Sequence, residues 1–86
     1  MHRTVLITGA TRGLGRSIAV AFAKAGYQVA LNYAHNEDNA REALAEVREH
    51  GTGEIFKADA LSETGVNQLI ADVTKVFDAP DTLVIN

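Results

Sequence analysis

Four short apolar runs alternate with three amphipathic segments along this chain of 86 residues. Each gap between two runs holds one segment with helical periodicity, so the pattern predicts the order β-α-β-α-β-α-β. The runs begin near Thr4, Gln28, Glu54 and Thr82. Three of them are continuously apolar rather than alternating, which is typical of parallel strands covered on both faces. These three are Val5 to Ile7, Val29 to Leu31 and Leu83 to Ile85.

The first predicted helix begins near Gly13 and ends near Lys24, with Gly26 as its stop signal. Large apolar side chains recur in it at steps of four, which predicts that they share one face. They are Leu14, Ile18 and Phe22.

The second predicted helix follows Asn36, a favourable N-cap, and ends at His50 and Gly51. Its inner stripe consists of Ala40, Ala43, Leu44 and Val47. The third follows Ser62, which can also cap a helix, and Pro80 marks the turn into the last strand. Its stripe is the clearest amphipathic pattern in the chain and consists of Val66, Leu69, Ile70, Val73 and Phe77.

Composition narrows the class of protein. A chain of 86 residues with 47% hydrophobic and 22% charged residues is ordinary for one small globular domain. The net charge of -3 gives no reason to expect nucleic acid or an anionic membrane as a partner. There is no cysteine, and His2, His35 and His50 are too scattered for a metal site. The N-terminal apolar stretch is too short for a signal peptide or a membrane span, so we expect a cytoplasmic protein.

The segment TGATRGLG, from Thr8 to Gly15, holds three of the seven glycines directly after the first apolar run. Gly9 would let the chain turn out of the strand, while Gly13 and Gly15 would keep side chains away from a phosphate and from the helix-strand contact. The spacing does not fit a P-loop, which needs four residues between its glycines and a following lysine. It does not fit G-x-G-x-x-G either, because Ile18 occupies the third glycine position.

The remaining spacing, T-G-x-x-x-G-x-G, resembles that of the short-chain dehydrogenase/reductases, most closely their 3-oxoacyl-[acyl-carrier-protein] reductase branch. Three further segments resemble the family's motifs in the family's order, each at the carboxyl end of a predicted strand. They are LNYAHNED, KADALSE and DTLVIN, the last of which leads toward the family's Asn-Ala-Gly motif. The resemblance implies an α/β fold: the N-terminal part of a Rossmann-type doubly wound parallel sheet with strand order 3-2-1-4.

The resemblance also implies which residues meet a dinucleotide. The glycine loop would surround the pyrophosphate and the adenosine ribose through Gly9, Thr11, Arg12, Leu14 and Gly15. Asp59 and Ala60 would meet the adenine, and Asn86 would lie near the ribose toward the nicotinamide. Asn32 and Tyr33 would line the adenosine pocket.

The region after the second strand predicts which dinucleotide is bound. NAD sites place an acid about 20 residues beyond the glycine motif, where it binds the ribose 2′-hydroxyl. Residues 31–36 contain no acid, and Glu37 and Asp38 are better explained as first-turn acids of the second helix. Arg12 suits a 2′-phosphate, because guanidinium binds phosphate well. We therefore predict NADPH as the cofactor.

No catalytic residue and no metal ligand is predicted within the chain. In the family a Tyr-x-x-x-Lys pair and a Ser act on a carbonyl, but Leu31 follows Tyr27 by four residues and Glu37 follows Tyr33 by four. Residues 1–86 are thus predicted to be the NADP-binding part of one domain, truncated before the catalytic half. That half would belong to the same or to a separate polypeptide, and the chain alone would not be catalytic.

Two function classes follow. The first is NADPH-dependent reduction of an acyl-carrier-protein-bound or other ketone, in fatty acid or polyketide biosynthesis, by a homodimer or homotetramer. The second is a non-catalytic dinucleotide-binding module or a degenerate remnant of such an enzyme. We also expect the strand from Leu83 to Ile85 to form an apolar edge, and the third helix to cover its face of the sheet alone.

Overall fold

The computed structural model describes residues 3–86, so His2 lies outside the described residues. The predicted alternation is confirmed. The elements are β1 (Thr4–Ile7), α1 (Gly13–Lys24), β2 (Gln28–Tyr33), α2 (Glu37–Arg48), β3 (Thr52–Lys57), α3 (Glu63–Val76) and β4 (Thr82–Val84).

The four strands form one parallel sheet in the order β3-β2-β1-β4, as predicted. Val5 of β1 lies opposite Val29 of β2 and opposite Thr82 of β4. The short apolar strand β1 is therefore central, and all four carboxyl ends meet at one edge of the sheet. In an open parallel sheet this edge is where ligands bind.

The core lies on both faces of the sheet. Helices α1 and α2 cover one face, where Val5, Ile7, Val29 and Leu31 are fully buried. Helix α3 covers the other face, where Leu69 and Val73 pack with residues of three strands. Those strand residues are Leu6, Ala30 and Phe56.

The face that the large side chains of α1 share is not the face that packs most closely on the sheet. Leu14 is 70% exposed, and Ile18 and Phe22 are only partly buried. The helix turns a face of small residues to the sheet, which lets the two backbones approach closely. That face consists of Gly15, Ala19, Val20 and Ala23.

Two other expectations need correction. Strand β3 begins at Thr52, two residues before the expected Glu54, because Thr52 and Gly53 already pair with β2. Gly53 is buried where a Cβ would lie 2.7 Å from Cγ1 of Val47, so close helix-sheet packing, and not hydrophobicity, selects this residue. Helix α2 ends at Arg48, and the expected end at His50 lies in the following turn.

The predicted stripe of α3 is only partly buried. Leu69 and Val73 are buried, Val66 and Phe77 are partly buried, and Ile70 is 40% exposed. The reason is that α3 packs over β1, β2 and β3, while the side toward β4 has no covering helix among residues 3–86. The expected apolar edge at β4 is confirmed, since Leu83 and Ile85 are largely exposed.

Candidate functional site

A cavity of about 570 Å³ opens at the carboxyl ends of the strands, on the face that carries α3. Polar groups line the part near the strand ends, and apolar side chains of α3 and β4 line the rest. The polar part includes Thr8, Asn32, His35, Asp59 and Asn86. A concave site with an apolar wall and a few converging polar groups is typical of a cofactor pocket.

The glycine loop adopts the backbone that its glycines permit. Gly9 and Gly13 have φ of 61° and 62°, a left-handed conformation that side chains disfavour. Gly15 has a different role, because a Cβ there would lie 2.5 Å from the carbonyl oxygen of Gly9. A Cβ on Gly13 would meet no protein atom within 4 Å. The loop therefore packs tightly against Gly15, whereas the space beside Gly13 is free of protein atoms from residues 3–86.

The N-terminus of α1 differs from those of the other two helices. Its N-cap, Arg12, makes no side-chain capping bond, and its first turn, which lies wholly within the described residues, holds no acid. By contrast, the side chains of Asn36 and Ser62 accept hydrogen bonds from Asn39 N and Gly65 N at the starts of α2 and α3. The first amides of α1 and its positive dipole end are therefore available to an anion.

Asn86, the last described residue, binds the glycine loop through two hydrogen bonds. Its side-chain nitrogen donates to the carbonyl oxygen of Gly9 at 2.9 Å, and its backbone nitrogen donates to Oγ1 of Thr8 at 3.2 Å. Thr8 in turn donates its backbone N–H to the carbonyl of Val84. These bonds join the ends of β1 and β4 and hold the loop at Gly9.

Asn32 joins the glycine loop to the segment after β3. Its carbonyl oxygen accepts from the backbone N–H of Ala10 at 3.4 Å. Its buried side-chain nitrogen donates to the carbonyl oxygens of Phe56 and Ala58, at 3.3 and 3.1 Å. Asn32 therefore lines the cavity as a brace between two loops.

Asp59 and Ala60 lie in the cavity wall, directly after β3. Asp59 is exposed, and its Oδ1 accepts from the backbone N–H of Leu61 at 2.9 Å. That bond fixes the carboxylate next to the cavity. The residues beyond it begin α3 through the cap at Ser62.

The end of β2 carries a polar cluster that the cavity does not include. Tyr33 is buried and donates its hydroxyl to Oε1 of Glu37 at 3.2 Å, and Arg41 binds Oε2 of Glu37 at 2.9 Å. The hydrogen bond from Arg41, followed by that from Tyr33, lowers the pKa of Glu37. Burial, followed by the bond to Glu37, raises the pKa of Tyr33.

The structure brings five of the predicted site residues together in the cavity wall. They are Gly9, Asn32, Asp59, Ala60 and Asn86. Four others, Thr11, Arg12, Leu14 and Gly15, lie in the loop and first turn of α1, outside the cavity lining. Tyr33 does not line the cavity.

Sequence reasoning missed Thr8, His35 and the apolar wall formed by α3 and β4. The position of His35, two residues after β2, was the available signal for that residue. In the part of the chain that the structure describes, no three acidic or histidine side chains group as metal ligands, and no helix is long and apolar enough to cross a membrane.

Comparison with known proteins shows the family to which the chain belongs. Residues 3–86 match the short chain dehydrogenase family. The chain belongs to that family. Among curated relatives, the 3-oxoacyl-[acyl-carrier-protein] reductase FabG of Staphylococcus epidermidis is 38% identical over the whole chain. The L-rhamnose 1-dehydrogenase (NAD(P)(+)) of a Sphingomonas species is 35% identical over 98% of the chain.

Solved structures of short-chain dehydrogenases share the fold. A short-chain dehydrogenase/reductase from Serratia marcescens superimposes with a TM-score of 0.91 over 98% of this chain and 35% of its own, at 28% identity. The NADH-dependent reductase A1-R′, complexed with NAD, superimposes with a TM-score of 0.86 over 95% of this chain and 34% of its own, at 31% identity. The chain likewise spans only 36% of the Staphylococcus FabG and 34% of the Sphingomonas enzyme. It is an oxidoreductase-family sequence with a Rossmann-type sheet.

Proposed function

We propose that residues 1–86 are the N-terminal, NADP-binding part of a single Rossmann domain in an NADPH-dependent carbonyl reductase of the 3-oxoacyl-[acyl-carrier-protein] type. The observation that carries the proposal is the open N-terminus of α1 beside two left-handed glycines. Its first amides have no side-chain cap, and the first turn of the helix, which lies within the described residues, holds no acid. This is an anion site at the strand edge where dinucleotides bind.

The residues present fit the pyrophosphate and adenosine of a dinucleotide. The space above Gly13 would admit the pyrophosphate, because even a Cβ there meets no protein atom within 4 Å. Thr11, Leu14 and Gly15 would frame it from the same loop. Asp59 and Ala60 would receive the adenine, since an anchored carboxylate can accept a hydrogen bond from its exocyclic amine.

The charges around the end of β2 favour the 2′-phosphate of NADPH. No acid occurs in residues 31–36. Glu37, the next acid along the chain, is bound by Arg41 and Tyr33. Arg12 is exposed, and its side chain has no ion-pair partner among residues 3–86, so its guanidinium can turn to a phosphate. Relatives in the family include NADH-dependent and NAD(P)-dependent proteins, so this preference must come from the chain itself.

The bound dinucleotide would supply a hydride to a carbonyl carbon. The residues of this chain would hold the cofactor rather than donate the proton. The hydroxyl of Tyr33 is bound to Glu37, and that of Tyr27 accepts a hydrogen bond from Arg3. Neither tyrosine lines the cavity. The proton donor and the substrate contacts would lie in the catalytic half of the domain, in the same or in a separate polypeptide.

The exposed apolar surface of β4 and α3 supports a larger assembled domain. Leu83 is 53% and Ile85 80% exposed at the sheet edge, beside the partly exposed Ile70. A sheet face of this kind is normally covered. We propose that further elements of the Rossmann domain cover it, and that the complete reductase is a cytoplasmic homodimer or homotetramer acting on acyl-carrier-protein-bound or other ketones.

The test is a calorimetric titration of the complete polypeptide that contains these residues with NADPH and with NADH. We expect tighter binding of NADPH. Arg12→Ala should weaken NADPH binding at least about tenfold, because a charge-assisted hydrogen bond contributes about 1.5–3 kcal/mol and each 1.4 kcal/mol is a factor of ten. NADH binding should change less than about twofold.

Lys24→Ala is the matched control, since Lys24 is an exposed cation in the last turn of the same helix. It should leave both affinities unchanged. Equal affinity of the unaltered protein for the two cofactors would contradict the proposal. Tight NADPH binding without reduction of any 3-oxoacyl thioester would instead favour a non-catalytic binding module.

A further inference from the structure

Glu37 lies at a position where an acid would favour NADH over NADPH. It lies 22 residues beyond Gly15, close to the spacing at which an acid binds the ribose 2′-hydroxyl of NAD. A free carboxylate at that position repels a 2′-phosphate. The proposed preference for NADPH therefore depends on whether neighbouring groups offset the negative charge of Glu37.

Both carboxylate oxygens of Glu37 are engaged by neighbouring side chains. Arg41, one helical turn further on, places Nε and one terminal guanidinium nitrogen each 2.9 Å from Oε2. The hydroxyl of Tyr33 donates to Oε1 at 3.2 Å. Tyr33 is a buried residue at the end of β2, so this bond links the Glu37 carboxylate at the start of α2 to that strand end.

This cluster borders the candidate cofactor site. His35 lines the cavity and also a shallow depression that it forms with Asn36, Glu37 and Asp38. The backbone bond from Ala10 to Asn32 brings the glycine loop to the end of β2. The loop that carries Arg12 and the cluster that holds Glu37 thus flank the same strand end.

We propose that Arg41 determines the preference for NADPH over NADH by offsetting the negative charge of Glu37 and occupying its carboxylate. The inference rests on the proposed function, because it assigns a specificity-determining residue to the same site. Arg41 acts through Glu37 and does not need to touch the cofactor. Arg12 attracts the 2′-phosphate, and Arg41 offsets the negative charge that Glu37 would otherwise contribute beside it.

The ion pair contributes little to folding, which makes the proposal testable. Exposed pairs four residues apart on a helix are weak, and Glu37 and Arg41 are both exposed. Substitution of Arg41 should therefore leave the fold intact. Its effect on binding is larger, because a 2′-phosphate carries nearly two negative charges and is repelled by a nearby carboxylate whose charge is not offset.

The experiment measures dissociation constants for NADPH and NADH with the complete polypeptide. Arg41→Ala should lower the ratio of NADPH to NADH affinity about fivefold in 0.05 M salt, and the change should shrink in 1 M salt. The double variant Glu37→Gln with Arg41→Ala should return the ratio to within about twofold of the original. Arg48→Ala should leave it unchanged, since Arg48 forms a similar exposed pair with Glu54 near the far end of α2.

An unchanged ratio in Arg41→Ala would overturn the inference. So would a double variant that remains as weak toward NADPH as the single variant, because that result would mean that Arg41 binds the phosphate directly. These outcomes are distinct from failure of the proposed function, in which the unaltered protein would bind neither dinucleotide or would bind NADH as tightly as NADPH.

Discussion

Replacing Gly15 with alanine would place a methyl group inside the contact between the glycine loop and Asn86. The new Cβ would lie 2.5 Å from the carbonyl oxygen of Gly9, 2.6 Å from Nδ2 of Asn86 and 3.1 Å from Cα of Ala10. Two of these three atoms belong to the backbone. They cannot swing aside as the end of a flexible side chain can.

The cost follows from how far the loop must move. Non-bonded carbon contacts are most favourable near 3.5 Å or beyond, so relief of the clash needs a shift of about 1 Å. Added methyl groups in packed sites cost about 1–3 kcal/mol. The shift would also break the bond from Asn86 to Gly9, which contributes about 1 kcal/mol. We therefore expect Gly15→Ala to lower the free energy of unfolding by about 3 kcal/mol.

Gly13→Ala is the matched comparison within the same loop. Its Cβ would meet no protein atom within 4 Å, so the only cost is the left-handed backbone at φ 62°, about 1–2 kcal/mol. Urea unfolding of the unaltered protein and both variants measures the difference. If Gly15→Ala were no less stable than Gly13→Ala, the close approach of the loop to Gly15 would be refuted.

Two further predictions concern packing and pH. Leu69→Ala should lower the free energy of unfolding by about 3 kcal/mol, because Leu69 is buried between α3 and the sheet. The control Val76→Ala should change it by less than about 0.5 kcal/mol, because Val76 is exposed on the same helix. Equal effects of the two substitutions in urea unfolding would contradict the position of α3. Hydrogen bonds from Arg41 and from the hydroxyl of Tyr33 lower the pKa of Glu37 in the folded state. These bonds therefore stabilise the fold at a pH above the ordinary carboxyl pKa of about 4.3. Their contribution is lost as the pH falls through the lowered pKa of Glu37. Glu37→Gln should remove that small pH-dependent part of the stability, and a pH profile of thermal unfolding that is identical in both proteins would contradict the cluster.

Element order could be predicted because each signal was local. Asn36 and Ser62 stand before helical periods, and their side chains cap α2 and α3 as expected. The continuous apolar runs indicated parallel strands, and the sheet order matched the resembling family. Local chemistry and strand burial therefore agree in this chain.

Rotation of a helix and the reach of a side chain depend on distant residues, and these were harder to predict. The large side chains of α1 predicted one shared face but not which face packs on the sheet, and close packing at Gly15 and Ala19 decides that. Asn32 lines the cavity, and its side chain braces the loop after β3, across 26 residues of sequence, which no local pattern indicates. The pairing of Tyr33 with Glu37 likewise needs the angle between β2 and α2, which no local pattern contains.

A crystal structure of the complete polypeptide with NADP⁺ tests the central claim most directly. We predict pyrophosphate oxygens within hydrogen-bond distance of the first amides of α1, the adenine against Asp59 and Ala60, and the 2′-phosphate on the guanidinium of Arg12. A dinucleotide bound elsewhere, or one with its pyrophosphate away from the loop between Gly9 and Gly15, would contradict the account.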